Sequence, residues 1–353
     1  MNLKRVEKIA EAVLYEGYML YPYRPLSVKN RHRFNFGVLY PPKWCEHQAG
    51  ADRSNMQTEC LLKTSPSARL TIMVRFLQIC QRSVGKVFSQ SVDESGDVEP
   101  AFEIVDRFEL GDRVYHPWQE VVEKSVTLAD LDPHSPAPVR LSISLPEGRA
   151  IEYLQDERGH PAGAIIREWN AQYGSVEVET MAYSRELIKI SVRVENLNFL
   201  DSRLPIESIS RDAVLRDSLV SAHTILGVEN GEFISLLEPA PGLEGLAGQC
   251  ANIGTWPVLA GDDSTVMLSS PIILYDFPQI APESAGNLFD STEIDEILSL
   301  RILTLTEDEK REMRQSDDRV RSILDRTENM PEEQFMKLHG VLRGMTALKE
   351  EMP

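Results

Sequence analysis

The hydrophobic positions change period twice along the chain. At the start, Leu3, Val6, Ile9, Ala10, Val13 and Leu14 recur at helical spacing with charges between them. That spacing predicts a helix over 2–14, with Gly17 as its stop. Further on the period falls to two. Leu70, Ile72, Val74 and Phe76 alternate with Thr71, Met73 and Arg75, and Val139, Leu141, Ile143 and Leu145 alternate with Arg140, Ser142 and Ser144. Ile188, Ile190, Val192 and Val194 alternate with Lys189, Ser191 and Arg193. Alternation buries one face of a strand and wets the other, which is the antiparallel pattern. Val176 and Val178 alternate with Glu177 and Glu179, so this strand is expected to pair with 187–195 through a turn at Tyr183, Ser184 and Arg185. Acids would then lie beside Lys189 and Arg193 on the wet face.

A second β segment covers about 219–275. Asn230-Gly231 lies between Thr224–Val228 and Phe233–Leu237, the strongest short signal for a hairpin, because both residues tolerate positive φ. Another strand is expected at 265–275. The helical period returns in the last sixty residues. Thr306 with Glu309 fits a capping box, and Thr292 with Asp295 resembles one. Apolar stripes follow at Ile294, Ile297, Leu298 and Ile302, at Val320, Ile323 and Leu324, and at Phe335, Leu338, Leu342 and Met345, with Pro331 suited to a first turn.

These elements describe an α+β protein. Its mostly antiparallel β core is sandwich-like, in one lobe or two, with one N-terminal helix and a C-terminal helical segment. The expected divisions are 1–55 for the helix and an arm, 56–200 and 201–289 for two β-rich lobes, and 290–353 for the C-terminal helices.

Charge narrows the partners. The 353 residues hold 37 Lys and Arg against 55 Asp and Glu, a net charge of −18. That balance opposes nucleic acid and anionic membranes, both of which need a basic face. No apolar run approaches the roughly 18 residues of a membrane span. Lys4, Arg5, Glu7, Lys8 and Glu11 deny the N-terminus the apolar core of a signal peptide. Four cysteines in a chain this long make no disulfide framework. A cytoplasmic protein is the expectation. One stretch reverses the charge: from Gly17 to Cys45 there is no acid, and Tyr21, Tyr23, Arg24, Lys29, Arg31 and Arg33 interleave rings with cations. Arg and Tyr are favoured at interface hot spots, so this arm is a candidate partner-binding element. It either docks an acidic partner or anion, or folds back on the acidic body of its own chain.

Metal ligation is the next chemistry to weigh. Cys45 and His47 lie two apart and Cys60 follows fifteen positions after Cys45, a thiolate and imidazole set suited to zinc, iron or nickel. No Cys-x-x-Cys pair supports it, and Cys60 and Cys80 sit in apolar, strand-like segments where cysteine packs as a small hydrophobe. There is no Gly-x-Ser-x-Gly elbow and no His-Glu-x-x-His. His223 reads as a core histidine bonded through one ring nitrogen, and His116, before Pro117 and Trp118, as a turn residue. Gly242, Gly245 and Gly248 follow no obvious strand, unlike a phosphate loop. The acid clusters at 290–296 and 307–312 lie at helix starts, where the dipole favours them. The Asp93–Pro100 stretch reads as an acidic loop. No catalytic residue and no cofactor is assigned.

Four stretches resemble an uncharacterised protein family associated with gene clusters of nickel–iron uptake hydrogenases. The first is Ala-Glu-Ala-Val-Leu-Tyr-Glu-Gly-Tyr at 10–18, running on through Leu20–Arg24 and Val28–Arg31 to Asn35–Pro41. The second is Met-Gln-Thr-Glu-Cys-Leu at 56–61, and the third Asn-Ile-Gly-Thr-Trp-Pro-Val-Leu at 252–259. The fourth starts with Leu-Ser-Ser-Pro-Ile-Ile-Leu-Tyr-Asp-Phe-Pro-Gln at 268–279 and continues in pieces to Met313. The resemblance implies a non-catalytic accessory protein that binds, or helps assemble or mature, a nickel–iron hydrogenase, with hydrogenase subunits or maturation factors as partners. The alternative is a metal-handling protein, a metallochaperone or small redox protein, using Cys45, His47 and Cys60. A third reading is an enzyme with its site between the two lobes.

Overall fold

A single strand of 38 residues, β1 (Asn55–Val92), organises the protein. The structure, a computed structural model, describes residues 6, 9, 10, 14, 36–48, 50, 52–92, 98–200, 205–279, 306–314, 324, 325, 328 and 329. After β1 come β2 (Val98–Val105), β3 (Phe108–Leu110), β4 (Arg113–Tyr115), β5 (Trp118–Leu131), β6 (Val139–Leu145) and β7 (Gly148–Gln155). The series ends with β8 (Pro161–Trp169), β9 (Gln172–Ala182), β10 (Leu187–Asn196), β11 (Val220–Ile234), β12 (Trp256–Leu259) and β13 (Val266–Ser270). The helices are short: α1 (Pro42–His47), α2 (Arg211–Val214), α3 (Glu244–Ala247) and α4 (Glu307–Arg314). Eleven strands form one antiparallel sheet, and β3 pairs with β4 in a small second one. The mostly antiparallel β core expected from the alternation is present.

Strands of 3–10 residues are usual, so no neighbour could pair with β1 along its whole length. Its partners change along each edge. On one edge β10 faces Asn55–Lys63, then β5 faces Leu70–Arg82, then β2 faces Val84–Val92. On the other edge β11 faces Leu61–Leu77, and β8 takes over from Gln81 to Lys86. The sheet extends from β10 to β9 and β6, from β11 to β13 and β12, and from β8 to β7. It also curls back: Gln57 and Ile253 exchange both backbone hydrogen bonds, at 3.0 and 2.9 Å, bringing the lead-in to β12 beside the start of β1. Inside this turn, Thr58 Oγ1 donates to Ser269 Oγ at 2.7 Å, and Thr255 lies 2.7 Å from the same hydroxyl.

Alternation along β1 builds two cores. Met56, Cys60, Leu62, Leu70, Ile72, Val74 and Phe76 join Val176, Val178, Ile188, Ile190, Leu226 and Met267 on one face. On the other face Leu77 and Ile79 join Leu14, Val38, Tyr40, Trp44, Val214, Leu215 and Val220. Met73 packs with Val6, Ile9, Ala10, Ile225 and Val266. Val6, Ile9, Ala10 and Leu14 are helical and buried, as the spacing predicts. These four side chains hold their segment to the sheet through the apolar clusters they join.

The β9–β10 hairpin forms as expected, with Tyr183 N and Ser184 N both donating to Leu187 O. Arg193 faces Glu177 across it. Lys189 is a correction: it faces Met181 on β9, and its acid is Glu59 of β1, at 3.0 and 3.1 Å. A long side chain on the middle strand of three reaches either neighbour, and here it turns to the more buried carboxylate. The Asn230-Gly231 hairpin is a second correction. β11 runs straight through these residues, and its pairing with β1 shifts between Thr64 and Arg69. Asn230 takes φ 57° and its side-chain amide donates to Ser67 O at 3.2 Å. The extra residues are Ser65–Ala68 of β1, which bulge opposite Asn230, and no turn forms because both strands continue beyond them. The strand expected over 265–275 ends at Ser270, since Pro271 has no N–H to continue the ladder. At α4, Lys310 N bonds Thr306 O at 2.9 Å, which starts the helix where the capping box indicates. The stripes at 292–302, 320–323 and 335–345 lie outside the described residues, as does the acidic run 93–97.

Candidate functional site

Tyr21, Tyr23, Arg24, Lys29, Arg31 and Arg33 lie outside the described residues, but the root of their arm is described. Leu39 exchanges backbone hydrogen bonds with Leu219, Tyr40 N donates to Arg53 O, and Ala222 N donates to Gly37 O. Gly37 has φ 56°, and a Cβ there would come within 2.6 Å of Pro271 Cγ. Glycine is therefore required where the arm enters the body, for its φ and for the approach of the proline. The chain then turns into α1, whose first position is Pro42. Trp44 Nε1 donates to Asp52 Oδ2 at 3.1 Å, and Arg211 grips the same carboxylate with two nitrogens, at 2.7 and 3.1 Å. The Arg211 guanidinium stands 5.0 Å from the Tyr40 ring centre, so ring and carboxylate share one cation. Burial pushes the Tyr40 hydroxyl up to about 12, against the opposing pull of Arg211. The root is thus a fixed platform.

The metal set does not assemble, which corrects that expectation. Cys45 packs against the cluster on the Leu77 face of β1, while Cys60 is buried in the core on the other face, and His47 is exposed. Spacing in sequence cannot reveal that a sheet separates two residues. Among the described residues no group of three His, Cys, Asp or Glu is placed to hold a metal. Burial also favours the protonated form of the thiols. Burial pushes Cys45 to about 11, with Asp52 adding to it, and burial raises Cys60 as well. Cys250 is pushed to about 11 by burial and the nearby Glu59, and Cys80 is raised by burial and Glu120.

The other polar groups serve the fold. His223 is fully buried, with Nδ1 3.0 Å from Ser221 O, as expected of a core histidine. Its other nitrogen has no hydrogen-bond partner among the described residues. Burial lowers its pKa to about 4. Glu59 takes Lys189 and the backbone N–H of Ala251, fastening the loop after α3 to β1. Gly242 N donates to Glu244 of α3, so the glycine run closes on its own short helix.

A surface feature that the sequence reading did not single out lies beside the arm root. After Pro271 the burial of successive residues alternates. Ile272 and Leu274 pack inward on the Val6, Ile9 and Ile225 cluster. Ile273 and Tyr275 point out, 72% and 87% exposed, and Phe277 is exposed as well. The segment lies along the free edge of β12: Leu259 N donates to Asp276 Oδ1 at 2.7 Å, and Phe277 N donates to Leu259 O at 2.7 Å. Phe277 takes φ 54°, a conformation that costs a side-chain-bearing residue about 1–2 kcal/mol, and the bond to Leu259 holds it there. Trp256 and Leu237 are exposed as well. The signal in the sequence was a period-two pattern from Ile272 to Phe277, obscured because the outward residues are as apolar as the inward ones.

No helix among the described residues is long and apolar enough to cross a membrane. No protein-family model, no curated protein and no solved structure matches the chain.

Proposed function

We propose that the chain is a non-catalytic accessory protein that binds another protein and helps assemble or mature a nickel–iron hydrogenase. The observation that carries the reading is the outward stripe of Ile273, Tyr275 and Phe277, set on an inward side that is packed and hydrogen-bonded. Large apolar side chains held outward on a fixed backbone are characteristic of protein contact surfaces. The stripe lies in the 268–279 stretch and β12 in the 252–259 stretch, two of the four that carry the hydrogenase-cluster resemblance, and Pro271 at its start touches the root of the basic arm. The hydrogenase as partner is supported by that resemblance.

The test is a tagged pull-down from the native host, with partners identified by mass spectrometry. Hydrogenase subunits or their maturation factors should be enriched over an untagged control. Recovery of the chain with neither would reject the hydrogenase role.

A further inference from the structure

Cys60 and Cys250 are far apart in sequence, and the fold sets them on facing stretches of chain. Gln57 and Ile253 exchange both backbone hydrogen bonds, which fixes an antiparallel register between the start of β1 and the lead-in to β12. Each residue gained along β1 is one residue lost along this loop, so Glu59 meets Ala251 and Cys60 meets Cys250. The contacts beyond the paired residues keep to that register. Ala251 N donates to Glu59 Oε2 at 2.8 Å, Glu59 N donates to Asn252 Oδ1 at 2.8 Å, and Gln57 Nε2 donates to Ala251 O at 3.0 Å. Cys250 N donates to Ala247 O, so Cys250 sits where the turn of α3 joins this loop. Directly opposed residues of an antiparallel pair have Cα atoms about 4.5–5.5 Å apart, inside the roughly 4.4–6.8 Å span of a disulfide.

The two thiols also act on each other. Burial raises the Cys60 thiol most, and a charge on Cys250 raises it next, ahead of Glu59, its neighbour in the chain. No other thiol acts in this way on Cys45 or Cys80. We infer that Cys60 and Cys250 form a reversible disulfide, closed by a small-molecule disulfide such as oxidised glutathione, that bolts β1 to the loop between α3 and β12. The inference is independent of the accessory reading.

Exposure sets the order of events, because Cys250 is half-buried and Cys60 fully buried. The Cys250 thiolate attacks glutathione disulfide and keeps one glutathione as a mixed disulfide. The other leaves as a thiolate and takes up the proton that Cys250 gave up. The Cys60 sulfur then attacks the Cys250 sulfur, and its proton leaves with the second glutathione. Two protein thiols are oxidised, one glutathione disulfide is reduced to two thiols, and nothing else is consumed. Burial and Glu59 push Cys250 up to about 11, so closure is slow near neutrality and quickens about tenfold per pH unit below that value. The same surroundings favour the product. A disulfide is neutral and places no charge among Met56, Leu62 and Ile190, and a dithiol whose thiolate is not stabilised makes a disulfide that resists reduction.

The test incubates the full chain in glutathione buffers of rising disulfide content, blocks free thiols with N-ethylmaleimide and digests with trypsin without reductant. No lysine or arginine interrupts 217–300, so the cross-link joins peptide 54–63 to peptide 217–301 and is read by mass. It should be the main product, form about tenfold faster at pH 9 than at pH 8, reopen with dithiothreitol and leave the circular dichroism spectrum unchanged. The closed form should unfold at higher urea than the reduced form, and Cys250→Ser should show no such gap. Cys45→Ser and Cys80→Ser should close as wild type does. Glutathione that stays on Cys250 without the cross-link overturns the inference, because Cys60 then cannot reach it. A cross-link that appears only in urea overturns it as a product of the unfolded chain. Links to Cys45 or Cys80 as abundant as the link to Cys60, or no reaction of Cys250 at pH 9, overturn it as well.

Discussion

Replacing Asn196 with aspartate should give this protein a pH dependence that it otherwise lacks at that position. Asn196 is fully buried at the end of β10. Its amide nitrogen donates to Leu39 O at 2.7 Å and to Asp217 O at 2.9 Å, and its oxygen accepts from Asn198 N at 2.8 Å. Two carbonyls and one N–H face it, so only this orientation of the amide satisfies all three. The neighbours are saturated in turn. Asn198 donates to Gln172 Oε1 and Asp217 O, and Gln172 donates to Arg216 O. The network ties the arm root, β9, β10 and the turn before β11 into one polar knot.

The sizes follow from what each variant leaves unpaired. In Asn196→Ala the Asn198 N–H loses its acceptor, at about 1–3 kcal/mol, and the two carbonyls each lose one bond worth about 0.5–1.5 kcal/mol. Leu39 O keeps Leu219 N, and Asp217 O keeps Asn198 Nδ2, so neither carbonyl is left bare. The expected loss is about 2–6 kcal/mol at every pH. Asn196→Asp differs because a carboxylate oxygen would face two carbonyls with no water, so the folded state must keep the acid protonated. Its folded pKa is then raised above the unfolded value of about 3.9. The folded state binds the extra proton, and stability falls as pH rises, by about 1.4 kcal/mol per unit. Near pH 4 the protonated acid still donates one bond, and the aspartate variant should be the milder of the two. By pH 6 it should have lost about 3 kcal/mol more. Urea midpoints followed by tryptophan fluorescence from pH 4 to 7, each relative to wild type at the same pH, measure this. A profile for the aspartate variant that runs parallel to wild type would mean that water reaches Asn196, and the closed network would be refuted.

Three other outcomes are expected. Gly37→Ala forces a side chain into the left-handed region and against Pro271, so the urea midpoint should drop by the equivalent of about 1–2 kcal/mol or more, with faster amide exchange at Ile272–Leu274. Glu59→Gln leaves Lys189 mostly buried without its carboxylate and should cost about 3 kcal/mol, part of which Glu59→Gln combined with Lys189→Met restores in a double-mutant cycle. His223 has its pKa lowered from 6.5 to about 4 by burial, so the unfolded chain takes up the proton first as pH falls. That stability is complete above pH 6.5 and is lost toward pH 4, by about 3 kcal/mol, and His223→Leu should flatten this acid limb of the midpoint profile.

Local patterns were legible where one face of an element is wet. The β9–β10 hairpin, the burial of Val6, Ile9, Ala10 and Leu14, and the core role of His223 all followed from periodicity. The length of β1 did not. Ser65, Pro66 and Ser67 are turn-forming residue types set inside the strand, and beyond Val74 the strand is buried on both faces, which erases the alternation. Asn230-Gly231 misled for a related reason: Asn230 takes the left-handed conformation that a hairpin would use, but what it faces is the bulge of β1, more than 160 positions away. Polar residues such as Asn196 and Asn198 read as loop chemistry, because nothing nearby in sequence announces the carbonyls they will meet. Cys45 and Cys60 failed as a pair on the same account, since the side of the sheet on which each lands is settled by long-range pairing.

The way the stripe is held constrains how it makes contact. An uncovered edge strand invites another chain to add to the sheet through its backbone. At β12 the groups of Leu259 that would do so are already bonded to Asp276 and Phe277. A partner arriving here would therefore meet side chains, and its specificity would come from the apolar residues of the stripe and not from a row of free amides. The same covering segment is pinned at its other end, where Pro271 lies against Gly37, and Gly37 O is bonded to Ala222 N of β11. Two positions along, Leu39 O is bonded to Asn196 and Leu219. The arm root, the amide network and the stripe thus share a continuous path of short contacts. Loosening Asn196 or Gly37 should weaken partner binding by more than its distance from the stripe suggests, whereas Glu59→Gln, which lies on no part of that path, should lower stability and leave the binding of the surviving folded protein unchanged.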